Sequence, residues 1–339
     1  MTRYALRKLA NRFRMVAEYF RARPGRTIYP QEVVIELTNH CNLACRMCPQ
    51  ATLMRRPKGF MEAGLFRKII DEIKNRAELV YLYGTGESLL HPDLVPLTEY
   101  AARSGLTTVL STNGIPLTEK TARSLLSSGL DYLIIALDGG VKETYESIRI
   151  KGDFGRLVGN IKTLLRLHRE TGSPVKIVLQ MIYMKANAHE REQFRNLFTD
   201  EERRRIFQFR FKPFYETYAD HSRAVDHNRP CYWLWNMMAI AYNGDAQLCC
   251  MDYEAGYIGR NVREASVEEV WNSAPFAAAR AAHRNLDYAS VPLCVHCDIP
   301  EQGYFSGPLI LGSALVDADT VRRLLPLYEK LLLRTTRAA

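Results

Sequence analysis

Three observations predict an α/β fold, a partial (β/α)6 barrel carrying a small cysteine-rich C-terminal unit. Six apolar, strand-like runs alternate with amphipathic stretches between residues 33 and 214. A tight cysteine loop, Cys41-x3-Cys45-x2-Cys48, leaves the first of those runs directly. After residue 220 the alternation stops, and five more cysteines appear: Cys231, Cys249, Cys250, Cys294 and Cys297. Strands alternating with helices imply a parallel sheet with crossover helices, and the site of such a barrel lies at the carboxyl ends of its strands.

The chain has 339 residues, 47% of them hydrophobic and 24% charged. These are ordinary values for a globular protein, long enough here for a barrel and an appendage. No apolar run is long enough to span a bilayer, and the basic N-terminus lacks the continuous apolar stretch of a signal peptide. Eight cysteines in such a chain point to the reducing cytosol and metal ligation, not to a disulfide frame. The net charge of +9 is uneven: residues 1–26 hold eight Arg or Lys and one acid, Glu18, and so carry +7 of it. The remainder is near neutral, which argues against a general nucleic-acid surface.

Residues 3–22 have the pattern of an amphipathic helix, with Leu6, Leu9, Phe13, Val16, Ala17 and Phe20 recurring at three- and four-residue steps and Pro24-Gly25 ending it. An apolar stripe ordinarily packs on a core, here the outside of the barrel. A basic amphipathic helix can instead lie on an anionic membrane surface. Leader-peptide or RNA binding is the weaker third use. Strands are expected at 33–37, 79–83, 107–111, 132–137, 175–183 and 207–214, and helices at 65–76, 94–104, 119–128, 154–171 and 189–198. Residues 220–230 have the composition of a linker. Residues 320–333 have the pattern of a closing helix that Pro326 should kink.

The strand ends carry the chemistry. Three thiolates on one loop can hold three corners of a [4Fe–4S] cube and leave one iron free. A structural zinc site usually takes four ligands, often in paired knuckles. The second strand ends in Gly84-Thr85-Gly86-Glu87, where glycines let the backbone approach a ligand and Glu87 supplies an anion for an ammonium. The third ends in the polar turn Ser111-Thr112-Asn113-Gly114 and the fourth in Ala136-Leu137-Asp138-Gly139. Gln180 is a polar residue inside the apolar fifth strand.

The cysteine loop resembles the signature of the radical S-adenosylmethionine (SAM) family, in which an aromatic or similar residue precedes the last cysteine; Met47 takes that place. Residues 84–88 resemble the family's Gly-Gly-Glu-Pro motif, which receives the methionine amino group, with Thr85 for a glycine and Ser88 for the proline. Residues 89–94 look like the family's continuation, with His91 and Asp93 opening the next helix. Asp138 matches the family's Ser-x-Asp-Gly, although Ala136 lacks the hydroxyl. Residues 143–149 resemble a stretch ending in the arginine that many members carry. Arg149 is thus expected to pair with the SAM carboxylate, a surface ion pair being the alternative. By this resemblance Met47, Gly84, Gly86, Glu87, Ser111, Asn113, Asp138, Arg149 and Gln180 bind the cofactor. Gln180 would reach ribose or carboxylate, unless it is satisfied inside the barrel.

Residues 266–273 resemble the helix between cysteine groups in SPASM-type extensions of this family, with Ser266 and Glu269 forming a capping box and Trp271 packing. A full SPASM domain holds two clusters on about seven cysteines. Five here imply the shortened twitch form with one auxiliary [4Fe–4S] cluster on Cys231, Cys249, Cys294 and Cys297, zinc being the alternative. Cys250 is left over, as a buried small hydrophobe, as a replacement for Cys249, or as a hydrogen donor. The expected units are therefore an N-terminal helix over 1–26, the barrel over 27–219, the auxiliary-cluster domain over 220–310 and a C-terminal helix over 311–339.

The resemblance implies that a reduced cluster cleaves SAM and that the resulting 5′-deoxyadenosyl radical takes a hydrogen atom from a C–H bond. The later cysteines are similar to those of 2-deoxy-scyllo-inosamine dehydrogenases, which oxidise an aminocyclitol alcohol. Sugar epimerisation, peptide maturation and a non-enzymatic cysteine-rich scaffold are the alternatives. The implied partners are a carbohydrate-like small molecule, met by polar groups such as Arg210, Lys212, Tyr215 and Glu216, and an electron donor such as flavodoxin or ferredoxin. No nucleic acid is implied. The expected location is the cytoplasm, peripheral contact at the inner membrane face being the alternative.

Overall fold

The computed structural model describes residues 3–20, 28–214 and 229–297. The chain opens on helix α1 (Arg3–Phe20). Strand β1 (Glu32–Ile35) then leads through the cysteine loop and the short α2 (Pro49–Thr52) to α3 (Ala63–Ile73). Next come β2 (Leu79–Tyr81), α4 (Leu94–Arg103), β3 (Thr107–Thr112), α5 (Glu119–Ser127), β4 (Tyr132–Ala136), α6 (Lys142–Ile148) and α7 (Phe154–Thr171). Strand β5 (Lys176–Tyr183), α8 (Arg191–Asn196), α9 (Asp200–Arg203) and β6 (Ile206–Pro213) complete the alternation. The C-terminal part contributes α10 (Trp233–Asn236), β7 (Met237–Ile240), β8 (Ala246–Gln247), α11 (Val267–Trp271) and α12 (Ala274–Arg284). Tyr215, Glu216 and the expected helix at 320–333 lie outside the described residues.

The sheet runs in the order β6-β5-β4-β3-β2-β1-β7-β8. Strands β1 to β6 are all parallel, which gives the expected open half-barrel. The sheet does not stop at β1. β7 joins it in parallel, with Glu32 opposite Met237 and Ile35 opposite Ile240, and β8 turns back antiparallel. The period-two pattern could not announce β7, because all four of its residues are buried and nothing alternates. Its place has a physical reason: β1 would otherwise present an unpaired edge beside the cysteine loop.

Alternation along the strands sorts two apolar layers. Val33, Ile35, Val80, Leu110, Leu133, Ile135, Ile177 and Leu179 join the main core, together with Leu65, Phe66, Ile69, Leu97, Leu125, Leu157 and Leu164 of the helices. The opposite strand faces form a second cluster of Leu79, Val109, Tyr132, Ile134 and Val178, flanked by Tyr81 and Tyr83, which lines the inside of the barrel.

Helix α1 closes the amino-terminal end of the strands. Arg12 makes a fork with Glu78, its Nε lying 2.7 Å from Oε1. Asn11 Nδ2 donates to the Tyr29 carbonyl at 3.0 Å, Lys8 Nζ to the Gly105 carbonyl at 3.0 Å and Tyr19 Oη to the Pro230 carbonyl at 2.9 Å. The packed face is therefore Asn11, Arg12, Met15, Val16 and Tyr19. This corrects the expected stripe: of its members with described side chains only Val16 is buried, while Phe13 and Phe20 stay 47% and 52% exposed and Ala17 is exposed. Polar partners at the strand ends turned the helix over. No helix among the described residues is long and apolar enough to cross a membrane.

Candidate functional site

A cavity of about 590 Å³ runs through the half-barrel. At its amino-terminal end lie Arg12, Gln31, Glu32 and Glu78; its wall is aromatic and apolar, with Tyr81, Tyr83, Val34, Ile134 and Val178. At its carboxyl end it meets Cys41, Cys45 and Cys48.

The cysteine loop is pinned to the end of α6 and the residues that follow: Ala44 N donates to the Ile150 carbonyl and Arg46 N to the Ile148 carbonyl, both at 3.0 Å. Its sulfurs receive donors too. Leu43 N lies 3.5 Å from Cys41 Sγ, and Arg149 Nη1 lies 3.5 Å from Cys45 Sγ. Burial pushes the Cys41 thiol up to about 11, against the Leu43 donor and with help from Glu87, Cys45 and Cys48. Burial likewise raises Cys48. Thiolates here need a cationic centre to form, which iron provides.

Glu87 sits at the floor of this end, buried. Its Oε1 accepts from Leu89 N at 3.0 Å and Thr112 Oγ1 at 2.7 Å, and its Oε2 accepts from Asn113 N at 2.7 Å. Burial raises its pKa, while these donors and Arg149 oppose the rise. An arriving ammonium would complete its ionisation.

The later cysteines gather beside the same cavity. Cys231, Cys249, Cys294 and Cys297 are buried and Cys250 is half-buried. Burial lifts Cys231 to about 12, with Cys250 adding to it. Cys249 is raised by its hydrogen bond with Cys250, by burial, and by the charges of Cys250, Cys294 and Cys297. Cys294 is raised by burial, Cys231 and Cys297. Each of the five thus feels at least one other, and of the five Cys250 lines the cavity. Among the described residues no three His, Cys, Asp or Glu side chains converge as ligands of a single ion.

Comparison with known proteins decides the family. Residues 35–198 match the model of the radical SAM superfamily, and residues 231–298 match that of the SPASM iron-sulfur cluster-binding domain. The chain belongs to the radical SAM superfamily. Its radical SAM domain implies SAM and a [4Fe–4S] cluster, and its SPASM region implies auxiliary iron-sulfur ligation. Among curated relatives, the AdoMet-dependent heme synthase of Methanosarcina barkeri is 32% identical over 40% of this chain and 39% of its own length. The mycofactocin maturase MftC of Mycobacterium ulcerans is 32% identical over 38% of this chain and 35% of its own. The chain thus spans under two fifths of the length of these relatives. Among solved structures, BtrN in complex with AdoMet and 2-DOIA superposes with a TM-score of 0.56 at 16% identity, covering 80% of this chain and 94% of that one. Streptococcus suis SuiB bound to precursor peptide SuiA gives 0.60 at 15% identity, over 80% and 70%. These two likenesses show the fold.

Most expected cofactor residues of this radical SAM site meet at one end of the cavity: Met47, Gly84, Gly86, Glu87, Ser111, Asn113, Arg149 and Gln180 all line it. Asn113 Nδ2 donates to Asn42 Oδ1 at 2.9 Å, tying β3 to the cysteine loop. Three of these residues also have close neighbours within the chain. Gly84 and Gly86 make room for the chain itself: a Cβ on Gly86 would stand 2.2 Å from the Thr38 carbonyl oxygen, and one on Gly84 2.6 Å from Glu36 Cβ. Arg149 does meet a carboxylate, but it is the chain's own Asp138, with Nε and Nη2 2.7 and 2.6 Å from Oδ2. Asp138 is fully buried behind the wall, where its Oδ1 accepts from Ile182 N at 2.6 Å. A buried aspartate without a cation is costly, so the fork is spent there. His91 is structural, as expected: Nδ1 accepts from Asp93 N at 3.1 Å and Nε2 lies 2.9 Å from the Met61 carbonyl.

Sequence reasoning missed Glu36, Arg56 and Asp252. Glu36, one residue past β1, accepts from Arg56 Nη1 at 2.7 Å, from Thr85 N at 3.3 Å and from Tyr242 N at 3.3 Å, and the Thr85 hydroxyl also donates to it. This accounts for Thr85 in place of a glycine. Asp252 accepts from Leu248 N and Gly256 N, both at 3.1 Å, and so shapes the turn that carries Cys249 and Cys250. The available signal was a charged residue inside an apolar run, Glu36 in Val-Ile-Glu-Leu.

Proposed function

We propose that this radical SAM enzyme oxidises an alcohol carbon of a sugar or aminocyclitol held in the barrel cavity. The observation that supports it is the position of Cys250, which lines the cavity and hydrogen-bonds Cys249, so the auxiliary cysteine group adjoins the substrate space. Cys41, Cys45 and Cys48 would hold the SAM-site cluster, and Cys231, Cys249, Cys294 and Cys297 the auxiliary one. Bound there, these groups would supply radical chemistry able to remove a carbinol hydrogen atom and an acceptor for one electron.

The chain's own residues position, shield and move a proton. Glu87 receives the SAM ammonium in place of its water shell. Ser111, Asn113 and Gln180 offer polar contacts along the same wall, and Met47 flanks them. The Arg149 donor on Cys45 tunes the sulfur it touches, as hydrogen bonds to cluster ligands do. Lys212 Nζ accepts the hydroxyl proton: burial lowers its pKa to about 8, Cys250 pulling it back up and Arg210 pushing it down. The aromatic wall excludes water from the radical.

A second reading, epimerisation, is favoured by the same Cys250, since a thiol facing the cavity can return a hydrogen atom. The two separate in deuterated water with a panel of aminocyclitols and hexoses. Dehydrogenation predicts a ketone product, no deuterium at the reacting carbon, and turnover retained in Cys250→Ala. Deuterium at that carbon, lost in Cys250→Ala, would establish epimerisation instead.

A further inference from the structure

Helix α1 is built with two working faces. One holds the barrel through Asn11, Arg12, Met15, Val16 and Tyr19. The other carries Ala10, Phe13, Ala17 and Phe20, at steps of three and four residues, and all four are exposed. Phe13 and Phe20 keep 47% and 52% of their surface in solvent and are two of the few large apolar side chains among the described residues that do. An apolar stripe that the fold declines to bury marks an interaction surface.

The charge around the stripe indicates what covers it. Of the eight basic residues in 1–26, Lys8 and Arg12 are turned inward, to Gly105 and Glu78. Arg14 is exposed beside the stripe. Arg3 and Arg7 precede it in the sequence, and Arg21, Arg23 and Arg26 follow it. The segment's acid, Glu18, is buried on the packed face, where Arg284 Nη2 lies 3.6 Å from it. The outer face is therefore apolar along its middle with the cation Arg14 at its edge, the sequence on either side of the helix is basic, and the carboxylate in the groove beside Ala10 and Arg14, Glu268, is paired with Arg76 at 2.7 Å.

We infer that the outer face of α1 docks the enzyme on an anionic lipid surface, with Phe13, Ala17 and Phe20 entering the headgroup–acyl boundary and Arg14 among the flanking cations that meet lipid phosphates. Interfacial helices combine these features: a narrow apolar stripe, basic flanks and low overall hydrophobicity. Docking leaves the inner face of α1 in place, so the ion pair of Arg12 with Glu78 at the end of the cavity is undisturbed.

The test is co-sedimentation of the full chain with extruded vesicles, either phosphatidylcholine alone or equal parts phosphatidylglycerol and phosphatidylcholine. Binding is expected to the mixed vesicles at low salt, to fall as salt rises, and to be weak on phosphatidylcholine alone. Phe13→Ser with Phe20→Ser should cut the apparent partition coefficient at least about tenfold. Arg14→Glu should weaken binding to the mixed vesicles only. Iron content and SAM cleavage, unchanged in all variants, show that they fold. Equal sedimentation of wild type and the double phenylalanine variant would overturn the inference, as would no sedimentation of wild type at low salt. A concentration-dependent dimer that this variant abolishes, without vesicle binding, would assign the face to a second copy and equally overturn it.

Discussion

Lys212 shows how a single residue acquires a task from its surroundings. Its neighbours on β6 alternate, so Gln208, Arg210 and Lys212 all line the cavity. Burial brings Lys212 from 10.5 to about 8. The proposed base is the neutral amine, which is scarce below that pKa and dominant above it. The rate at limiting substrate should therefore rise as pH climbs through about 8 and then level off, and Lys212→Met should remove that rising limb. A wild-type profile flat from about pH 7 to 9 would take the proton-accepting role away from Lys212. The sequence placed Lys212 near the last strand, but its lowered pKa depends on the strand neighbours and on Cys250, which arrives 38 residues later. Gly86 teaches the reverse lesson. Its type was legible, but the contact that requires it is the backbone of Thr38 and His40, which no sequence pattern lists.

Elements are joined around the site by one buried ion pair. Arg56, from the loop after α2, forks onto Glu36 at the end of β1, with side-chain exposures of 9% and 1%. The same guanidinium donates to Thr85 Oγ1 at 2.9 Å after β2 and to the Tyr253 carbonyl at 2.6 Å in the C-terminal part. Glu254 accepts from the backbone of Arg55 and Arg56 at 2.6 and 3.1 Å. Four separate stretches of chain are thus locked together. Arg56→Met should destabilise the fold by about 3–5 kcal/mol, since it strands a buried carboxylate, and replacing Glu36 by Gln at the same time should recover part of the loss. Denaturant unfolding of the two variants checks this; a cost within about 0.5 kcal/mol for Arg56→Met would show that the pair carries no load. The capping box of α11 was readable, because Ser266 and Glu269 are three residues apart and the structure forms both bonds. The Glu36–Arg56 lock was not, because its partners are 20 residues apart on irregular chain.

At the scale of the whole molecule, two cysteine groups flank one cavity, and iron counts them. Reconstituted protein should hold about eight irons per chain, two cubes of four. Cys41, Cys45 and Cys48 changed together to Ala should leave about four and abolish SAM cleavage. Iron and sulfide assays with a 5′-deoxyadenosine readout decide it, and cleavage surviving in the triple variant would remove the assigned site. The sequence by itself determined the family and the half-barrel, because strand–helix alternation and the C-x3-C-x2-C loop are local patterns, written in residues close along the chain. It also marked Glu87 and the auxiliary cysteines. Tertiary structure alone decided that β7 extends the sheet past β1, that Asp138 claims Arg149, that Cys250 faces the cavity, and that α1 packs by its mixed face and leaves Phe13 and Phe20 outside. Each of these turns on groups far apart in sequence competing for one partner, and such a competition is resolved by burial and geometry rather than by spacing.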